Sequence, residues 1–470
     1  MIFSSIFFLF AFLPVSLIVY YVAPVNIRNL VLLLFSLVFY AWGEPIYVIL
    51  MLFSIAINFI GGLEIEHYVE MEKPRAAKIA CISTAVINLA LLGFYKYYGF
   101  LAENLNAVLP FDIPYKELAL PIGISFYTFQ AMSYVIDVYR GKVAAQHSFV
   151  IFGAYVSMFP QLIAGPIVRY SDVEKQLQKR TVSIEKFGYG AAWFIQGLAK
   201  KVLIANAMGS VYESIAALGA SNTSVLTAWI GCFAYTMQIY FDFGGYSDMA
   251  IGLGKMLGFD FIKNFNYPYI AKSITDFWSR WHISLSSWFK EYVYIPLGGN
   301  RVSTLKRIRN IMVVWVLTGL WHGSAWNFIF WGLYYGILLL IEKYFLSEKL
   351  ERIPVIFQHI YTMVIVMIGW MLFAAPSLER AVSFIGTMFC ISGNGIADAA
   401  SFYYLKSTLA LGLIAVVSCT PVVYRYFSRI VNSGQRYKQI AAIGVYMVLF
   451  LICVAYLVNA TYNPFLYFRF

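Results

Sequence analysis

Apolar residues in this chain fall into long blocks separated by short polar stretches, near 2–22, 29–43, 45–62, 77–95, 117–136, 149–167, 186–206, 225–257, 309–342, 355–375, 403–424 and 439–459. A bilayer crossing needs about 20 mostly apolar residues, so the pattern predicts an all-α integral membrane protein with about eleven transmembrane helices. No internal repeat, low-complexity segment or long polar linker interrupts it, and residues 1–470 read as a single polytopic membrane domain. Run 2–22 lacks a basic leading region and a small-residue cleavage site, which predicts a first membrane helix and not a removed leader.

Basic residues orient the runs. Arg28 follows the first run and Lys73, Arg75 and Lys78 follow the third, whereas the turn at Glu44 and Pro45 carries no basic residue. The positive-inside rule then places the N-terminus outside. Run 149–167 is flanked on both sides by basic loops (Arg140 and Lys142; Arg169, Lys175, Lys179 and Arg180), which predicts a re-entrant segment. Irregular backbone at membrane depth persists only where protein or water satisfies it, so such a segment borders a cavity.

Composition narrows the function. Only 12% of residues are charged and 61% are hydrophobic, with mean hydropathy +0.72, far from a soluble domain. The net charge of +11 is spread over short loops and does not form a nucleic-acid face. The five cysteines are scattered without metal-ligand spacing. No Gly-x-Ser-x-Gly elbow, His-Glu-x-x-His helix or Cys-x-x-Cys pair is present, so classical hydrolase and metalloenzyme chemistries lose weight and no metal is expected.

Ionisable residues inside apolar runs are costly and mark candidate sites. His322, in Thr318-Gly-Leu-Trp-His-Gly-Ser-Ala-Trp-Asn327, lies on the order of 20 Å along a helix from Arg309. The surrounding segment is too long for one perpendicular span and is expected to tilt or break near Gly319 and Gly323. An imidazole there suits general-base work, and packing against a neighbouring helix is the other reading. His282 follows a Ser273-x-x-Asp276 capping pattern and an aromatic stripe of Trp278, Trp281, Leu285, Trp288 and Tyr292, interrupted by Arg280, Lys290 and Glu291. That pattern predicts a helix at the membrane interface, with His282 either facing inward or solvated. Asp242 and Asp248 need partners such as Arg280 or a histidine. Gln130, Ser125 and Gln161 can bond a bound group or a neighbouring helix.

The tract Trp278 to Arg301, together with Gly319-Leu-Trp-His-Gly323, Asp242 to Ala250 and the terminal Asn463-Pro-Phe-Leu-Tyr-Phe-Arg-Phe470, resembles the membrane-bound O-acyltransferase family over nearly the whole chain. Ile295-Pro-Leu-Gly-Gly-Asn-Arg301 and Trp326-Asn327 are more similar to the branch that acetylates alginate and peptidoglycan than to the branch that D-alanylates teichoic acid. The resemblance implies helices around a central funnel, His322 as the catalytic histidine and His282 as a second essential residue. Trp278, Trp281, Arg280, Asn327, Gln130 and Asp242 would then belong to the substrate-binding surface. It further implies a bacterial cytoplasmic membrane and a cytoplasmic thioester donor, acetyl-CoA or an acyl carrier protein. Arg280 and Lys290 are expected near the cytoplasmic headgroups, where they would help admit that anionic donor. The acceptor would be a hydroxyl of an extracellular glycan or of a periplasmic or surface partner protein. D-alanyl transfer to teichoic acid is one alternative, and a non-enzymatic transporter or export-complex subunit is another. Nucleic acid is not an expected partner.

Overall fold

A computed structural model describes every residue except 117, 392, 432, 461, 465 and 467–470. The described residues form helices joined by turns, with no strand among them. Among the described residues, seven helices are long and apolar enough to cross a membrane, joined by a shorter apolar helix at Phe8–Val22. This is a multi-pass membrane protein, and these seven do not by themselves confirm the eleven crossings that the apolar runs predict. Run 149–167 yields a helix of only nine residues, and run 309–342 breaks into two helices.

The chain divides into two compact units. The first holds Met1–Phe194 and Ser247–Ile262. Its helices are α1 (Leu13–Val22), α2 (Arg28–Gly43), α3 (Val48–Glu70), α4 (Pro74–Asn106), α5 (Ile124–Tyr139), α6 (Phe149–Ser157) and α7 (Tyr170–Gln178). Where two apolar spans pack in lipid, a polar pair supplies directional adhesion that apolar contact lacks. Here the side-chain amides of Asn58 on α3 and Asn88 on α4 donate to each other, both at 2.9 Å. Helix α6 rises only about 13 Å, well short of a hydrocarbon core of about 30 Å. It ends in a buried turn whose Phe159 amide donates to Ser36 Oγ at 3.0 Å.

Helix α8 (Ile184–Ala199) begins in the first unit and ends in the second. The second unit comprises Ile195–Tyr246 and Lys263–Phe470. After α9 (Asn206–Leu218) and most of α10 (Val225–Met256) come two short helices, α11 (Ile274–Arg280) and α12 (Ile283–Phe289). Then follow α13 (Thr304–His322), α14 (Trp326–Ile341), α15 (Ser347–Arg352), α16 (Val355–Ala374), α17 (Leu378–Met388), α18 (Ala399–Ser418), α19 (Val422–Val431) and α20 (Arg436–Asn459).

The pairing of α13 with α14 fixes the position of His322. A β-carbon on Gly319 would stand 2.4 Å from the Phe328 carbonyl oxygen, and one on Gly332 would stand 2.3 Å from that of Trp315. Both helices therefore approach backbone to backbone, which only glycine permits. The break expected near Gly319 and Gly323 falls at Gly323, one residue after His322.

Candidate functional site

The expected helix around His282 is split in two, and the split creates the site. Ser273 Oγ accepts from the Asp276 amide at 2.9 Å, so the capping pattern starts α11 as predicted. At His282 the backbone turns left-handed (φ 44°, ψ 55°), a conformation that costs a non-glycine residue on the order of 1–3 kcal/mol. Asn264 holds it there. Its carbonyl oxygen accepts from the Ile283 amide at 2.9 Å, and its Oδ1 accepts from the Ser284 amide at 3.2 Å. The same Oδ1 lies 3.1 Å from His282 Nδ1. Since Oδ1 is an acceptor, Nδ1 carries the proton of the neutral ring and Nε2 the lone pair.

Glu342 fixes the start of the same segment. Its buried carboxylate accepts from the amides of Ile274 at 2.6 Å and Thr275 at 2.9 Å and from Thr275 Oγ1 at 2.8 Å. These are the free donors of the first turn of α11, where negative charge is favoured. Sequence reasoning missed both Asn264 and Glu342, which lie 18 and 60 positions from His282, with no periodic pattern linking either to it.

His282 and His322 line one cavity of about 810 Å³. Trp278 and Thr318 line it beside them. Both imidazoles are buried, whereas Lys272, Lys290, Lys343 and Glu351 are exposed, so the cavity runs from a charged rim to a histidine-bearing interior. Lys290 opens a π-helical turn, Lys290–Tyr294, and Lys343 lies in another, Glu342–Leu346. Such turns redirect side chains and recur at functional sites.

The remaining expected site residues occupy other places. Trp281 is buried against Trp370, with ring centroids 4.7 Å apart, and does not line the cavity. The Arg280 guanidinium lies 2.7 Å from Asp276 and also donates to the Asn266 carbonyl at 3.3 Å. Asn327 lines a second cavity of about 250 Å³ and donates to the carbonyl of Ala375 at 3.0 Å. Gln130 is buried in α5 of the first unit. Gln161 donates to the Tyr155 carbonyl at 2.6 Å, and Ser125 accepts from Lys96 at 3.4 Å.

Asp242 pairs with Lys201, and not with the Arg280 or histidine that its position suggested. The π-helical turn Lys200–Ala205 presents Lys201 to it. The Pro464 carbonyl also accepts from Lys201, and the Leu466 amide donates to Asp242 Oδ2 at 3.0 Å. The expected terminal tract thus reaches this pair through Pro464 and Leu466, while its positions 465 and 467–470 lie outside the described residues. Among the described residues, no group of three or more histidine, cysteine or carboxylate side chains converges as a metal site.

A family model described as MBOAT, membrane-bound O-acyltransferase family, matches residues 140–379. A probable alginate O-acetylase of Pseudomonas aeruginosa is 44% identical over 395 residues, covering 83% of this chain and 75% of that one. A protein of the same description from Pseudomonas putida is 38% identical over 494 aligned positions, covering all of both chains. The peptidoglycan O-acetyltransferase of Helicobacter pylori is 35% identical over 429 residues, covering 84% of this chain and 80% of that one.

Proposed function

Because this chain belongs to the membrane-bound O-acyltransferase family and is therefore a multi-pass O-acyltransferase, we propose that it acetylates a carbohydrate or a partner-protein hydroxyl from a cytoplasmic acetyl thioester, with His322 as general base. The observation that carries this reading is the convergence of His282 and His322, 40 positions apart, on one 810 Å³ cavity with a lysine-bearing rim. The activities named for the relatives, alginate and peptidoglycan O-acetylation, support an acetyl group and a glycan.

The thioester, carried by coenzyme A or an acyl carrier protein, enters past Lys272, Lys290 and Lys343. His322 takes the proton of the acceptor hydroxyl as its oxygen attacks the thioester carbonyl carbon. The carbon–sulfur bond then breaks, and the imidazolium returns the proton to the departing sulfur. A well-placed base contributes about 10²–10⁴-fold. His282, with Nδ1–H turned to Asn264, presents its lone-pair nitrogen for orienting the donor or relaying the proton. In this reading both units form one catalytic domain in the bacterial cytoplasmic membrane, with the N-terminus outside. The acetyl group crosses the bilayer without the cofactor.

Replacing His322 with Gln in purified protein, with insertion verified, tests the assignment. Acetyl transfer is expected to fall by about 10²–10⁴-fold with the fold intact. Retained transfer rejects the base, and unaltered export of a polymer alongside lost binding would favour a transporter.

A further inference from the structure

The second cavity lies close to the catalytic histidine but does not include it. It is lined by Ala325 and Asn327, three and five residues beyond His322, and by Tyr212, Glu213 and Gln238. One aromatic ring reaches from the second cavity to that histidine. Phe373 lines the second cavity, and its ring centroid is 5.2 Å from that of His322, which lines the first. Phe328 packs edge-on against Phe373 at 5.1 Å and also lines the second cavity.

The local sequence builds this partition. A β-carbon on Gly323 would fall 2.2 Å from the Phe328 ring, so only glycine after His322 lets Phe328 lie across the end of α13. Asn327 donates to the carbonyls of Leu372 and Ala375, at 3.4 and 3.0 Å, and so ties down the end of α16 on either side of Phe373.

Thioesters are exposed to water unless their site excludes it, and excluding side reactions is a recognised task of an enclosed site. We propose that Phe373 is the gate of this enzyme: it closes the donor cavity until an acceptor occupies the second cavity, and its displacement admits the acceptor hydroxyl to His322. This rests on His322 being the base. The second cavity joins aromatic and amide or carboxylate side chains in about 250 Å³, a lining suited to an aliphatic hydroxyl on a narrow carrier, either a sugar ring or a serine side chain. Without the gate, water takes the hydroxyl's place. Its oxygen attacks the thioester carbon, the carbon–sulfur bond breaks, and acetate and free thiol are released.

The test uses the full-length protein in detergent with acetyl-CoA, and a monosaccharide and N-acetylserinamide as separate acceptors. Phe373→Ala is expected to raise acceptor-independent release of thiol several-fold while lowering the fraction of acetyl reaching either acceptor. Phe373→Leu, which keeps much of the bulk, is expected to fall between Ala and the parent. A purely structural role would lower hydrolysis and transfer together, and that result, or unchanged hydrolysis, overturns the gate. Adding His322→Gln separates the two ideas, because hydrolysis that persists without His322 overturns the base assignment and leaves the partition standing. In a second arm, Ala325→Cys is placed in a Cys390→Ser background, Cys390 being the exposed cysteine among the five. A maleimide on the thiol introduced at position 325 is expected to block transfer relative to the same protein unlabelled, without blocking acetyl-CoA binding. Transfer unaffected by the label to both acceptors overturns the second cavity as the acceptor route, and the acceptor whose transfer is lost identifies the source of the hydroxyl.

Discussion

Asn264 Oδ1 lies 3.1 Å from His282 Nδ1, and the backbone carbonyl of the same asparagine accepts from the amide of Ile283, the next residue along. One residue thus fixes both the tautomer of the imidazole and the left-handed backbone that aims it. Asn264→Ala is expected to lower kcat on the order of 10²-fold, as misplacement of a reacting group does. Asn264→Asp keeps an acceptor for Nδ1–H and should retain more activity than Ala. Steady-state kinetics on both variants, with equal insertion, checks the order.

Glu342 satisfies two amides and a hydroxyl at the start of α11. Glu342→Ala strands the buried amide of Ile274 at about 1–3 kcal/mol, while the donors of the exposed Thr275 can turn to water. The expected outcome is lower thermal stability together with lower kcat, because α11 leads directly into His282. Glu342→Gln, which keeps one carbonyl oxygen, should lie between Ala and the parent in a detergent melt.

Lys290 and Arg280 were both expected near the donor, but only Lys290 lines the cavity, while Arg280 is engaged by Asp276. Lys290→Glu is therefore expected to raise the KM for an anionic donor with little change in kcat, an effect that weakens as salt rises. Arg280→Glu should leave donor KM closer to the parent value. Donor titrations at low and high salt distinguish them.

Lys201 and Asp242 form a buried pair with side chains 2% and 1% exposed. Removing one partner leaves an uncompensated buried charge, at about 3–5 kcal/mol. Lys201→Met and Asp242→Leu are each expected to destabilise the protein severely, and the double variant should recover part of the loss. Unfolding followed by tryptophan fluorescence across the double-mutant cycle gives the coupling.

Gly332 allows α13 and α14 to meet, since a β-carbon there would lie 2.3 Å from the Trp315 carbonyl oxygen. Gly332→Ala must push the helices apart, an overpacking worth about 1–3 kcal/mol. Transfer should fall along with stability, because α13 carries His322 at its end. A Gly332→Ala protein with unchanged melting and unchanged kcat would contradict the packing described.

Apolar run length and the scarcity of charge were enough to establish a helical membrane protein, because a bilayer admits few other backbones. The cost of burying ionisable groups likewise singled out His322, His282 and Asp242 from local sequence. Tertiary structure decided what each of them meets. Asp242 found Lys201 and the backbone near the C-terminus, His282 found Asn264, and Arg280 found Asp276. It also set where the helices end, since helix length depends on where a chain finds hydrogen bonds: α6 stops after nine residues in a buried turn, and the 309–342 run folds back at Gly323. The reason is physical: burial cost belongs to a residue and its neighbours in sequence, whereas partners are chosen by packing between segments separated by tens to hundreds of positions.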